Sequence, residues 1–369
     1  MIDHKKTIKI CIAIHGLSYA GAERVAASWS NYLVSQGHQV SVVLYACGED
    51  TYDLDERVRL VPLADSREEY FQLSKLKQLS RIRQVIRQEN PQVLISFLPK
   101  MQISMMLGTF GLKMKRMETI RNNPWIDTDV SGKRFLWNLC FRRSDRILVQ
   151  TKEQSLYFSG QLQKKCVVIS NPISKIFVDH PKVYQDSGTS KFIAVARLNT
   201  QKNYPMMVQA FAQAVRKNPS ATLDIYGAGS PEKIQALQDL INQLGMKDNI
   251  NICGWRRDIP ELLTQYDGFL MSSNYEGMPN ALAEAMASGL VCLSTDCKTG
   301  PKDMIQSGKN GFLAKTGDVA SFAEGIEKII QMDFRQRAAM GSLARETILE
   351  MCSEENTLAR LKREIEALV

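Results

Sequence analysis

SSNYEGMPNALAEAMASG, residues 272–289, sets two carboxylates, Glu276 and Glu284, on either side of a predicted helix start. A buried-strand pattern at 267–271 runs into it and another at 291–294 follows, the strand–loop–helix–strand order of a parallel α/β sheet. Gly277, Met278, Pro279 and Asn280 lead into the helix, with Pro in the first turn and Asn near the cap. The first backbone N–H groups of such a helix have no partner within it and point outward beside Glu276. A helix end of this kind attracts anions. Glu284 falls a turn further in, where its side chain reaches back and accepts from hydroxyls. Carboxylates for sugar hydroxyls beside amides for phosphate suit a nucleotide-activated sugar. A Glu in a first helical turn is by itself usually only a dipole partner, so the reading gains its weight from the sequence before it.

FIAVARLNTQKNY, residues 192–204, runs from an apolar strand into a polar loop and then into the helical pattern PMMVQAFAQAV. Arg197 is a fork donor for two phosphate oxygens, and Lys202 is a point charge on a flexible stem. A pair of loop cations is ordinarily just solvated. These two lie at the carboxyl end of a strand, where open α/β sheets place their ligands, and together they neutralise a diphosphate. Near the amino end, the strand pattern IKICIAI (8–14) is followed by HGLSYAGAER and a helix with Val25, Trp29, Leu33 and Val34 on its apolar side. Gly21 lets the backbone approach a phosphate, and Glu23 sits in the first turn. The turn lacks the GxGxxG spacing, so it is not read as a dinucleotide site.

AGAER after the first strand, ARL followed by QKN, the GAGS turn at 227–230 and EGMPNALAEAMASG with its Glu-x7-Glu spacing resemble the family 4 retaining glycosyltransferases of the GT-B fold. CKTGPKDMI and NGFLAKTGD are similar to members that build bacterial surface glycans on lipid carriers. The likeness runs from about residue 8 to 365 and is densest between 192 and 318. It implies two doubly wound Rossmann-like domains facing a central cleft. It also implies a donor site of Gly21, Arg197, Lys202, Gly227, Arg256, Glu276, Gly277, Met278, Pro279, Asn280 and Glu284, with Glu276 on donor-sugar hydroxyls, Glu284 on ribose hydroxyls and Gly21 on the diphosphate. Arg197, Lys202 and Glu276 are the catalytic candidates. Many relatives place a His on a first-domain loop near the sugar. The matching region here, SFLPKMQIS to METIRNNPW, has none, so Lys100, Arg121 and Asn122 stand in for it, with His15 after the first strand close by.

A chain of 369 residues fits two domains. Strands are expected at 8–14, 39–45, 92–97, 117–120, 145–149 and 166–169, then at 191–196, 221–226, 250–253, 267–271, 291–294 and 312–314. This gives a first domain over 1–175, a second over 190–350, and a terminal helix, 351–369, that by the resemblance crosses back to the first. The polar stretch 171–190, with two prolines, reads as the linker.

The eight cysteines include no CxxC pair and read as reduced core thiols of a cytoplasmic protein. MIDHKKT lacks an apolar run, so no signal peptide is expected, and MQISMMLGTFGL (101–112) is too short to span a membrane. Residues 1–180 hold 26 Lys and Arg against 17 Asp and Glu, a net +9, whereas 181–369 hold 21 against 22. The excess concentrates at 67–88, where Leu73, Leu76, Leu79, Ile82 and Ile86 form an apolar stripe beside Lys75, Lys77, Arg81, Arg83 and Arg87, and again from 112 to 146. The plain alternative is a core-facing helix with a solvated basic face. Two such segments in one domain favour peripheral docking on the anionic inner face of the cell membrane. No nucleic-acid motif accompanies the charge.

Asp53-Leu54-Asp55 and Asp127-Thr128-Asp129 match the Asp-x-Asp spacing of metal-dependent transferases, yet each is an isolated pair in a polar loop. No metal or other cofactor is therefore expected. The expected substrates are a UDP-sugar, by resemblance a UDP-N-acetylhexosamine, and a polyprenyl-diphosphate-linked glycan, with front-face attack and retention. The rivals are a soluble transferase or synthase acting on a metabolite or a glucan, and a catalytically idle subunit that binds a nucleotide sugar. The joint presence of Arg197, Lys202, Glu276 and Glu284 argues against idleness.

Overall fold

Segments such as KICIA (Lys9–Ala13) and VLIS (Val93–Ser96) are apolar on both faces and almost wholly buried, as strands covered by helices on both sides require. The computed structural model describes residues 7–18, 21–48, 52–126, 132–186, 190–216 and 218–369. Backbone contacts divide the chain into two units, Met1–Pro172 with Glu354–Val369, and Ile173–Ser353.

The first unit holds β1 (Lys9–Ala13), β2 (Gln39–Leu44), β3 (Arg59–Pro62), β4 (Val93–Ser96), β5 (Lys115–Thr119), β6 (Arg146–Val149) and β7 (Cys166–Val168). They pair in parallel in the order β3-β2-β1-β4-β5-β6-β7. The second unit holds β8 (Lys191–Val195), β9 (Thr222–Tyr226), β10 (Ile250–Gly254), β11 (Gly268–Met271), β12 (Val291–Thr295) and β13 (Phe312–Ala314), also parallel, in the order β10-β9-β8-β11-β12-β13. Each sheet reverses its winding once, between β1 and β4 and between β8 and β11. There the connecting loops diverge and leave a crevice at the strands' carboxyl ends. Among these strands, hydrophobic patterning does not signal β3, a four-residue edge strand, RLVP, with three exposed residues and a Pro at its end.

The Gly21–Ser35 helix buries Val25, Trp29, Leu33 and Val34 against β1, β2 and β4. The same core takes Leu361 and Ile365 from the terminal helix Arg360–Glu366, each contributing about 1.5–3 kcal/mol. Arg146 Nε, 2.9 Å from Glu364 Oε2, fixes the helix at the edge of β6. The described part of the expected linker, 171–186, packs against its surroundings. From Ile173 on it belongs to the second unit, where Phe177 is buried and the Tyr184 hydroxyl lies 3.2 Å from the carbonyl oxygens of Asp267 and Gly289.

The basic helix Lys75–Glu89 turns Ile82, Val85 and Ile86 into the core, along with Gln78, which donates to the carbonyls of Tyr70 and Leu73 at 3.1 and 2.9 Å. The expected apolar stripe therefore divides. Ile82 and Ile86 are core, Leu73 and Leu79 are half-buried, and Leu76 stands 81% exposed between Lys75 and Lys77. The cysteines divide likewise: all eight are free, but Cys47 and Cys253 are exposed rather than in the core.

Candidate functional site

The loops after β8, β9 and β10 are stitched side by side. Ala196 N donates to Tyr226 O at 3.0 Å, Leu198 N to Ala228 O at 2.8 Å, and Gly227 N to Gly254 O at 2.8 Å. A Cβ on Gly227 would fall on the carbonyl oxygen of Ala196, so only glycine permits this approach. Gly227→Ala should therefore cost the second unit more than about 2 kcal/mol, a fall of roughly 4–8 °C in Tm by calorimetry. An unchanged melting temperature would show that the loops part freely.

The loop after β8 is laced to the loop after β11, the two strands that flank the switch point. Asn274 N donates to Gln201 O at 2.7 Å, Asn274 Nδ2 to Thr200 O at 2.9 Å, and Ser272 Oγ to Lys202 O at 2.7 Å. This lacing brings Lys202 Nζ into direct contact with Glu276 Oε1. Glu276 is 5% exposed and well held: Ser273 Oγ donates to Oε1 at 2.6 Å and Gln201 Nε2 lies 3.4 Å from Oε2. Lys202 is thus not a free phosphate cation but one half of an ion pair. Arg197 is exposed, and among the described residues its guanidinium has no hydrogen bond or ion pair. It is the open cation of the pair read from sequence.

Behind Glu276 lies a strained turn. Thr299 holds φ at +69°, a backbone conformation costing a β-branched residue on the order of 1–3 kcal/mol, and its Oγ1 donates to the Glu276 carbonyl. Gly300 follows at φ +88°, where a Cβ would stand 2.6 Å from Gly277 O and 2.8 Å from Pro279 Cδ. The turn fixes the loop that carries Glu276, Gly277 and Met278. Sequence reasoning missed Gln201, Ser273 and Thr299 as supports. Thr-Gly-Pro signals a turn, but nothing local indicates that its hydroxyl reaches a carbonyl so far back in the chain.

The helix Asn280–Ala287 starts differently from expectation. Pro279 is its N-cap and Asn280 its first residue, because the fixed Pro φ and extended ψ of 109° suit the residue before the helix. Glu284 is buried on this helix, 8% exposed. Arg256, after β10, is exposed and grips Asp258 through Nε at 2.8 Å and Nη2 at 2.5 Å, so its fork is already occupied.

In the first unit, Gly21 is the exposed first residue of its helix, and His15 Nε2 lies 3.1 Å from Oε1 of the buried Glu23. Lys100 is exposed in the first turn of the Pro99–Gly108 helix. Asn122 turns its Oδ1 onto the next backbone N–H, Asn123 N, at 2.9 Å. Arg121 instead runs inward, with Nη1 3.1 Å from Asn171 Oδ1 and the guanidinium 4.5 Å over the Trp29 ring. Of the two Asp-x-Asp pairs, Asp127 and Asp129 lie outside the described residues. Asp55 is chelated by Arg57 at 2.8 and 2.7 Å, which holds its carboxyl down at about 2. Among the described residues no three His, Cys, Asp or Glu side chains gather as metal ligands.

Residues 19–175 match the family model described as Glycosyltransferase Family 4, and residues 177–347 the model described as Glycosyl transferases group 1. A GalNAc-α-(1→4)-GalNAc-α-(1→3)-diNAcBac-PP-undecaprenol α-1,4-N-acetyl-D-galactosaminyltransferase of Campylobacter jejuni is 25% identical over 331 residues, 88% of this chain and 89% of that one. The lipopolysaccharide core biosynthesis glycosyltransferase LpsE of Rhizobium meliloti is 25% identical over 342 residues, 91% of this chain and 92% of that one. Among solved structures, HepE of Anabaena in complex with UDP and glucose superposes with a TM-score of 0.79 at 18% identity, covering 98% of this chain and all of that one.

Proposed function

We propose a reaction on the premise that this chain belongs to the family 4 glycosyltransferases of the GT-B fold: it moves a sugar, with retention, from a UDP-sugar to a lipid-linked glycan during assembly of a bacterial surface glycan. The observation behind this reading is the pairing of Lys202 with Glu276 beside an open Arg197 at the switch point of the second sheet. A cation meets leaving phosphate there while a carboxylate is positioned for donor hydroxyls. The relatives' names support the glycan, and the UDP and glucose held by HepE support the donor. An N-acetylhexosamine is the sugar we propose.

As the bond from the anomeric carbon to the β-phosphate oxygen breaks, negative charge grows on that oxygen, where Arg197 is the open donor and Lys202 joins it on leaving Glu276. The acceptor hydroxyl attacks from the same face and gives its proton to the departing phosphate. Binding of the donor draws Lys202 from Glu276 toward phosphate and frees the carboxylate for sugar hydroxyls. A panel of nucleotide sugars screened by saturation-transfer NMR, followed by turnover with those that bind, tests this directly. Binding of no UDP-sugar would overturn it. Because Arg197 and Lys202 carry the diphosphate charge, EDTA should leave the rate unchanged. Loss of transfer on chelation with recovery in Mg²⁺ or Mn²⁺ would assign a metal to the Asp pairs.

Among the described residues no helix is long and apolar enough to cross a membrane. A lipid-linked acceptor therefore calls for docking from one side, and the first unit offers Phe71, 51% exposed, and Leu76 between Lys75 and Lys77. Arg81 and Arg83 are less available, their side chains donating to the carbonyls of Leu63 at 3.1 Å and Phe110 at 2.7 Å. Neutralising Lys75 and Lys77 with Leu76→Ser should release the protein from anionic vesicles in flotation, each near-surface cation contributing about 1 kcal/mol. Flotation equal to wild type would mark this as a plain solvated face and favour the soluble-transferase reading.

A further inference from the structure

Arg121 sits two residues past β5, beside the switch point of the first sheet. Met117, Thr119 and Arg121 alternate onto the side of the sheet covered by the Gly21–Ser35 helix, where Met117 shares a core with Trp29 and Phe97. The guanidinium lies against one side of a T-shaped pair of rings, 4.5 Å from the centroid of Trp29 and 5.0 Å from that of Phe97, which are themselves 5.3 Å apart. Nη1 donates to Asn171 Oδ1, which also accepts from Gln150 Nε2 at 2.9 Å. Nε and Nη2 are buried and have no hydrogen-bond partner, and Trp29 Nε1 and Thr119 Oγ1 on the same side of the sheet are also buried and unpartnered. Among the described residues no carboxylate pairs with Arg121, and burial pulls its pKa down. Arg121 as a whole is part-buried, but two enclosed guanidinium donors with neither counter-charge nor hydrogen-bond partner are costly to maintain. Nε–H and Nη2–H form the parallel edge with which arginine grips two oxygens of one oxyanion.

We propose that the first unit carries an oxyanion site of its own, in which the Nε and Nη2 edge of Arg121 holds a phosphate group of a substrate. Its position at the carboxyl ends of β4 and β5 is where this class of sheet binds ligands. The site stands on its own geometry; assigning its phosphate to the donor or to a diphosphate-linked acceptor rests on the transfer reading above.

The test uses full-length protein carrying Arg197→Ala and Lys202→Ala, which removes the open cation and the paired lysine of the second unit. Inorganic pyrophosphate titrated into this variant by calorimetry should still bind. Adding Arg121→Met should weaken that binding by about tenfold or more. Arg121→Lys keeps the charge but not the fork, and it should lose most of the affinity without a change in melting temperature, which keeps the test valid if the Met variant folds poorly. With the second-unit cations intact, Arg121→Lys separates the sources. Weaker binding of a short prenyl diphosphate with UDP affinity unchanged assigns the site to the acceptor, and the reverse assigns it to the donor. If the Arg197→Ala, Lys202→Ala protein binds no pyrophosphate, or if both Arg121 variants bind it within about twofold of their parent, the proposal fails and internal water serves the buried edge. Should pyrophosphate bind through Arg121 while no nucleotide sugar is turned over, the site stands and the transfer reading falls.

Discussion

Replacing Arg197 or Lys202 with Ala should lower sugar transfer by about a hundredfold or more, the usual effect of removing one donor from a developing oxyanion. The two variants should differ in a second measurement. Arg197 is exposed and makes no contact among the described residues that folding would miss, so its removal should leave the melting temperature of the second unit in place. Lys202 neutralises a carboxylate that is only 5% exposed. Its removal leaves Glu276 with Ser273 and Gln201 as donors but without a counter-charge, a loss of about 1–3 kcal/mol that thermal unfolding will register. Turnover of both variants within about threefold of wild type would remove the two cations from the mechanism.

Strands such as QVSVVL (β2) and VLIS (β4) were legible because they are short apolar runs, the signature of parallel strands buried on both faces, whereas β5 reads KRMET. β3, RLVP, offers only Leu60 and Val61 before a Pro, too short a run to mark an edge strand. The placement of the candidate residues was legible where a strand pattern leads straight into them, as for Arg197 after β8 and Glu276 after β11. Side-chain pairing was not legible, because the partner decides it. Nothing in QKN indicates that Lys202 reaches Glu276 across 74 residues, because that contact depends on parallel neighbours meeting at a reversal of strand order. Arg256 looked equally available in sequence and is occupied by Asp258 two residues on. Arg121 was visible as a cation near the first-domain loops, whereas its position against the Trp29 and Phe97 rings depends on packing between helix and sheet.

Glu276→Gln and Glu284→Gln should separate chemistry from nucleotide binding. Gln at 276 keeps an oxygen for Ser273 and Lys202 but removes the charge that holds Lys202, so the lysine becomes more available to phosphate. UDP affinity by calorimetry should then hold or rise, while transfer falls by about a hundredfold or more because the donor sugar loses its charged acceptor. Glu284 lies within the Asn280–Ala287 helix, where the family likeness places the ribose hydroxyls, so Glu284→Gln should weaken UDP by about tenfold. Its effect on turnover should largely vanish at saturating donor, since it contributes equally before and at the transition state. Loss of UDP affinity in Glu276→Gln together with normal affinity and low turnover in Glu284→Gln would mean that the two carboxylates have exchanged roles. The contact between Lys202 and Glu276 would then be a structural clamp on the loop rather than the resting state of the catalytic pair.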